Sequence, residues 1–234
     1  MFDFLKHRSE DEELMDDFDC QGEVVDQTLR ELHSINTYLG GTALSIHGIK
    51  KLIQRYPKES YSLVDLGCGG GDTLIHIDQW AKKNSKNLAL SGVDANPHII
   101  DYAKENTANR SMQFLAMDVF SEDFKKLRFD MAHASLFMHH FEERAFVKLL
   151  RQLYEQVELG IVINDLHRHP VSYYFTKWLL TAWSRSQMVK YDSVLSVARS
   201  FTRSELINYL HQAGITNYRL TWKWAFRWEL IIWK

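Results

Sequence analysis

The chain has 234 residues, 45% of them hydrophobic and 25% charged, with 28 Lys and Arg against 30 Asp and Glu. That balance excludes disorder, collagen and coiled coil, and the length predicts one large domain, or one domain with an appendage, able to bury a substantial core. A formal net charge of −2 gives no field to draw the protein onto nucleic acid, and the two cysteines, Cys20 and Cys68, are too few for a disulfide framework or a metal cluster.

The first twenty residues hold eight acidic and two basic side chains. A signal peptide would be apolar there, and no apolar run approaches the ~18 residues of a membrane span, so a soluble, cytoplasmic protein with no transmembrane segment is expected. Ser9 followed by Glu12 fits a capping box, and Leu29, Leu32, Ile35 and Leu39 recur at helical spacing. Residues 10 to 56 therefore read as two or three helices, one of them ending at Gly40-Gly41, and residues 1–56 as an N-terminal helical cover.

From there strands and helices alternate. A strand at Ser62 to Leu66 leads to a helix at Thr73 to Lys83, a strand at Leu88 to Asp94, a helix at Pro97 to Glu105 and a strand at Met112 to Met117. A strand at Met131 to Phe137, a helix from Glu142 to Glu158 and a strand at Gly160 to Asp165 follow. This rhythm predicts a parallel sheet with helices on both faces. Residues 168–200, with Tyr173, Tyr174, Phe175, Trp178 and Trp183, interrupt it as a helical lid whose aromatic residues either line a pocket or pack as lid core. Thr202 with Glu205 opens a helix ending near Gly214. Two strands, Tyr218 to Trp224 and Ala225 to Trp233, close the chain and should pair antiparallel. The core is thus expected over residues 57–234. The stretch from Gly160 onward carries ten basic and four acidic residues and six of the seven tryptophans. It reads as a solvated basic face over a Trp-rich sheet core or as an aromatic, basic substrate chamber.

The most specific local signal is Val64-Asp65-Leu66-Gly67-Cys68-Gly69-Gly70-Gly71-Asp72-Thr73, a strand entering a glycine-dense turn that opens a helix. Bare backbone lets a ligand approach closely, and the helix N-terminus favours a carboxylate or phosphate. Asp72 stands where a dinucleotide-binding loop needs its last glycine, and no G-K-[ST] follows for a Walker loop. Asp65 and Asp94 at strand ends suit ribose hydroxyls, and Asp118 suits an exocyclic amine, though each alone also fits a helix or turn cap. Cys68 reads as a small apolar residue.

Taken together, Asp65-Leu66-Gly67-Cys68-Gly69-Gly70-Gly71, Gly92-Val93-Asp94-Ala95-Asn96-Pro97, Met117-Asp118-Val119 and Phe129-Asp130-Met131 leading to Ser135-Leu136 resemble the class I methyltransferases that use S-adenosylmethionine. The resemblance covers about 100 residues. It implies a Rossmann-like seven-stranded, mostly parallel α/β sheet with an antiparallel last strand. It implies S-adenosyl-L-methionine as cofactor, with its methionine moiety on Gly67, Cys68, Gly69 and Gly71, its ribose on Asp94, its adenine between Ala95 and Met117, and its amine on Asp118. Val119 and Ser135 belong to the matched motifs. A looser likeness of the flanking segments Glu13 to Asp17, Ile35 to Gly41 and Asn164 to Arg168 to ubiquinone-type and polyketide-tailoring enzymes brings Tyr38 and Gly41 near the methionine carboxylate. It favours a small aromatic acceptor of apolar character.

A phenol at neutral pH needs a base. The carboxyl ends of the strands nominate His139, His140 and His167, the last oriented by Asp165, with Arg168 to hold an acceptor anion. Arg199, Arg203 and Arg227 read as solvated. Asn164-Asp165 lacks a matching carboxylate after the fourth strand, so no metal is expected. Two alternatives stay open: a nicotinamide-dependent reductase using Tyr173 and Lys177, and a non-catalytic cofactor-binding interaction protein. The chain is expected to be a monomer or homodimer.

Overall fold

The computed structural model describes residues 3–17 and 19–234. The elements in order are α1 (Glu23–Tyr38), α2 (Gly41–Arg55), β1 (Ser60–Leu66), α3 (Asp72–Lys83), β2 (Asn87–Asp94), α4 (Pro97–Asn106), β3 (Met112–Ala116), α5 (Glu122–Lys126) and β4 (Phe129–Ser135). Then come α6 (Glu143–Gln156), β5 (Val157–Leu166), α7 (Pro170–Trp183), α8 (Gln187–Arg199), α9 (Arg203–Gln212), β6 (Tyr218–Lys223) and β7 (Arg227–Trp233).

The strands form one sheet in the order β3-β2-β1-β4-β5-β7-β6. Strands β1 to β5 pair parallel, and β7 runs antiparallel to both β5 and β6. Because strands β1, β4 and β5 are buried on both faces, they read as near-continuous apolar runs. One face packs Phe146, Leu149, Leu150 and Leu153 of α6 with Leu206 and Leu210 of α9. The other packs Ile49, Leu52 and Ile53 of α2 with Leu74 and Ile77 of α3 and Ile100 of α4. The helix α2 thus belongs to the sheet's own packing layer, where a Cβ on Gly48 would overlap Val162 of β5.

The boundaries expected from periodicity fall within a few residues of the observed ones, and Thr202 and Glu205 make the reciprocal cap of α9. The N-terminus differs. No helix starts after Ser9, whose hydroxyl instead donates to Asp11 Oδ2 at 2.9 Å. The backbone runs without regular structure to a 3₁₀ turn at Leu14–Asp16, where Glu13 N donates to Asp16 Oδ2 at 3.0 Å. This strap is held by side chains from distant elements: Asp192 of α8 accepts from the N–H groups of Leu14 and Met15, and Arg8 donates to the carbonyls of His139, Phe141 and Arg199. Gly40, at φ 77°, turns the chain between α1 and α2, so Gly41 opens the second helix.

Candidate active site

Strand β1 ends in the turn Gly67 to Gly71, with Gly67 at φ 60° and Gly69 at φ 51°. Here glycine is required twice over: the backbone is left-handed, and a Cβ at Gly67 would overlap the Phe137 ring. At Gly69 the side open to a Cβ meets only Leu29 Cδ2 at 3.6 Å, leaving the main chain bare toward the space above the strands. Asp94, at the end of β2, binds this turn, its Oδ2 accepting from Gly69 N at 3.3 Å and its Oδ1 from Asn96 N at 3.1 Å. Burial pushes the Asp94 carboxyl up against those two donors.

Asp65 is committed elsewhere. Its Oδ1 holds His133 Nδ1 at 2.6 Å, and His133 Nε2 reaches Ser45 Oγ at 2.8 Å, all three groups buried. That contact engages one oxygen of Asp65, which also lines the space above the strands. Asp118 spends Oδ1 on Phe120 N at 2.8 Å and closes the turn after β3.

A buried histidine stands at the end of β4. His139 Nδ1 donates to Asp165 Oδ1 at 2.7 Å, and its main-chain N–H reaches Asp165 Oδ2 at 3.2 Å. The opposite nitrogen, Nε2, is 3.4 Å from Glu13 Oε1, has no hydrogen-bond partner and is buried. Burial would depress this imidazole, but Asp165 and Glu13 outweigh it and push it up to about 9. The two carboxyls move the other way: against burial, His139 holds both below the usual range. Next to it, His140 Nδ1 binds Asp16 Oδ1 at 2.6 Å, and Arg199 of α8 pairs with the same carboxylate.

Glu13, His139 and His140 bring potential ligand atoms within 4.8 Å of one another, so the described residues do include one group able to take a cation. Each of the three is already engaged: Ser196 donates to Glu13, and Asp165 and Asp16 hold the two histidines. The Asn164-Asp165 pair offers nothing further, since Asn164 donates to Gly41 O at 2.8 Å.

These groups line one cavity of about 1130 Å³ over the carboxyl ends of the strands, the position expected in an open parallel sheet. Asp65, Gly67, Cys68, Gly69, Asp94, Ala95, Met117, Asp118, Val119, Ser135, His139 and His140 all face it. Gly71, Tyr38, Gly41, His167 and Arg168 do not. Tyr38 is 81% exposed and rests its edge on Trp183. His167 lies beyond the end of β5, its Nδ1 accepting from Trp222 Nε1 at 3.2 Å. Burial, with His169 and Arg168 adding to it, pushes His167 down to about 4. Asp165 does orient a histidine, but it is His139. Arg168 is buried as a strut, donating to the carbonyls of Leu5 and Ser200 and pairing with Glu205.

The sequence reading missed Glu13, Asp16, Asn36, Asp192, Arg199 and Arg227, which also face the cavity. Arg199 and Arg227 are buried at 8% and 1% exposure, contrary to the solvated reading. A signal for Arg227 exists: Arg227 and Glu229 sit at i, i+2 in an otherwise apolar strand, so one face of β7 must hold two charges. The lid contributes Thr176, Leu179, Leu180 and Met188, while Tyr174, Trp178, Trp183 and Tyr191 are exposed, so its aromatics do not line the pocket. Tyr173 and Lys177, the pair expected of a reductase, also lie off the cavity; Tyr173 packs on Phe4 and against Leu5, Leu195 and Ala198.

The family model described as "Methyltransferase domain" matches residues 63–160, the stretch from β1 into β5 that holds the glycine turn, Asp94 and His139. Residues 63–160 thus match a methyltransferase domain. Solved methyltransferases share its fold. The plantazolicin methyltransferase BpumL in complex with SAH is 18% identical, with a TM-score of 0.69 over 90% of this chain and 93% of that one. Human N-acetylserotonin methyltransferase with SAM is 13% identical, with a TM-score of 0.62 over 91% of this chain and 56% of that one. Magnesium protoporphyrin IX methyltransferase from Synechocystis PCC 6803 with SAM is 12% identical, with a TM-score of 0.54 over 92% and 86%. No curated protein matches. No helix among the described residues is long and apolar enough to cross a membrane.

Proposed function

We propose that the protein transfers a methyl group from S-adenosylmethionine to an oxygen of a small acceptor of aromatic or apolar character, without a metal ion, with His139 as general base. The residues fit the cofactor. The bare turn Gly67 to Gly69 and the N-terminus of α3 suit its amino-acid tail, Asp94 its ribose hydroxyls, and Ala95, Met117 and Asp118 its base. When bound, it supplies a methyl group already activated on sulfur.

What the chain then has to do is align the acceptor, exclude water and take its proton. One observation carries the assignment: His139 lines the cavity with Asp165 fixing its Nδ1, while its Nε2, 3.4 Å from Glu13 Oε1, makes no hydrogen bond, the arrangement of a base held in one orientation. Residues 168–200 act as the lid, and the N-terminal segment supplies cover. Cytoplasmic location and the absence of a nucleic-acid substrate remain part of the proposal.

Calorimetric titration with S-adenosylhomocysteine should show micromolar or tighter binding, and mass spectrometry of a phenolic library should reveal a product 14 mass units heavier. His139→Gln should lower kcat by about 10² to 10⁴-fold with affinity for S-adenosylhomocysteine unchanged. EDTA should leave the rate as it was. No binding of S-adenosylhomocysteine defeats the whole reading; binding with undiminished turnover in His139→Gln defeats the base.

A further inference from the structure

Arg227 opens β7 with its side chain 1% exposed, and it faces the cavity. Its hydrogen bond from Nη1 to Asn164 Oδ1, at 3.2 Å, is the one it makes among the described residues, and its Nε is buried without a partner. No carboxylate among them forms an ion pair with it. The contrast with neighbouring charges is sharp: Arg199 pairs with Asp16, and Glu229, two residues along the same face, holds His47 at 2.5 Å. Among the described carboxylates Asp165, beyond ion-pair distance, is the one whose charge supports it, and a guanidinium removed from water without a paired counter-charge is strongly unfavourable.

A second group points to the same place. Asn36 Oδ1 is buried, has no partner and lines the same cavity. A Cβ built on Gly41 would overlap Asn36 Oδ1 and stand 2.9 Å from Arg227 Nη1, so the two side chains meet at one spot and glycine is what makes room for them. The cavity they face is lined in part by Leu39, Leu166, Leu179 and Leu180. A planar fork of donors in a partly apolar cavity suits a carboxylate on a hydrophobic body, while Asn36 Oδ1, an acceptor, suits an O–H or N–H of the same molecule.

Two carboxylates are available to a methyltransferase, the cofactor's own and one on the acceptor. The sheet order favours the second. The glycine turn follows β1, and β4 and β5 lie between it and β7, which at about 4.8 Å per strand sets the root of Arg227 roughly 14 Å from the root of that turn.

Resting on the methyl-transfer reading above, we propose that the acceptor is an organic acid with an apolar body, whose carboxylate docks on Arg227. The test is calorimetry on protein saturated with S-adenosylhomocysteine, using 4-phenylbutanoate against its neutral amide. The acid should bind at least tenfold more tightly than the amide, and Arg227→Gln should erase that preference, while Arg227→Lys keeps part of it. Affinity for S-adenosylhomocysteine should be the same in all three proteins. If the wild type binds the acid no better than the amide, or neither, the docking site is wrong while cofactor binding leaves the enzyme reading standing. If Arg227→Gln weakens S-adenosylhomocysteine but not 5′-methylthioadenosine, which lacks the carboxylate, Arg227 belongs to the cofactor and the proposal fails. Should Arg227→Gln not fold, the wild-type preference and the Lys variant decide it.

Discussion

His139 sits between two carboxylates, and the sign of its shift governs how the proposed reaction depends on pH. With the imidazole pushed up to about 9, it is charged at neutral pH and cannot accept a proton until the medium, or the arriving acceptor, removes one. The rate should therefore climb from pH 7, reach half its maximum near 9 and level off above that. Asp165→Asn takes away the charge that raises it most, so the rising limb of a kcat profile should move toward lower pH; a limb that stays in place would show that some other group titrates. At this scale the sequence was informative about residue type and poor about partners. It nominated His139, His140 and His167 together, because all three follow strand ends. What separates them is a contact across 26 residues, from Asp165 to His139, and such contacts depend on how β4 and β5 pair.

At the scale of elements, the turn between β1 and α3 combines a left-handed backbone with a phenyl ring packed on its glycine. Gly67→Ala should cost about 2 kcal/mol or more of stability, read as a lowered urea midpoint at unchanged m-value. A neutral outcome would mean that Phe137 moves aside freely. Strands β1, β2, β4 and β5 and helices α3, α4, α6 and α9 were legible because periodicity and caps are local properties of the chain. The short α5 at Glu122–Lys126 was not, since five residues show too little of a period. Ser9 misled for a related reason. It has the spacing of a capping box, but the following backbone donors, Leu14 N and Met15 N, are taken by Asp192, 177 or more residues away. A remote carboxylate outcompetes the helix that the local pattern favours.

For the molecule as a whole, the acidic start of the chain and its basic end were legible as charge, though not as structure. The strap places Glu13 and Asp16 against His139, His140 and Arg199, so part of the imbalance is internal neutralisation rather than two solvated faces. This arrangement also sets global stability against pH. A histidine raised in the fold contributes stability that is complete below its unfolded value near 6.5 and disappears as pH passes through about 9. Asp192, pushed up to about 6 by burial, lowers stability as pH rises from its unfolded value to about 6 and changes it no further above that point, so the decline above 6.5 belongs to His139. The Tm should fall between pH 6.5 and 9 by an amount corresponding to a few kcal/mol, and Asp165→Asn should flatten the slope; a flat wild-type curve would remove His139 from the account.

Glu13 and Asp16 of the strap and Arg227 of β7 line one cavity although they come from distant parts of the sequence. The chamber is therefore complete only once β7 lies between β5 and β6, and a fragment lacking that strand would leave the cleft above the glycine turn short of one wall.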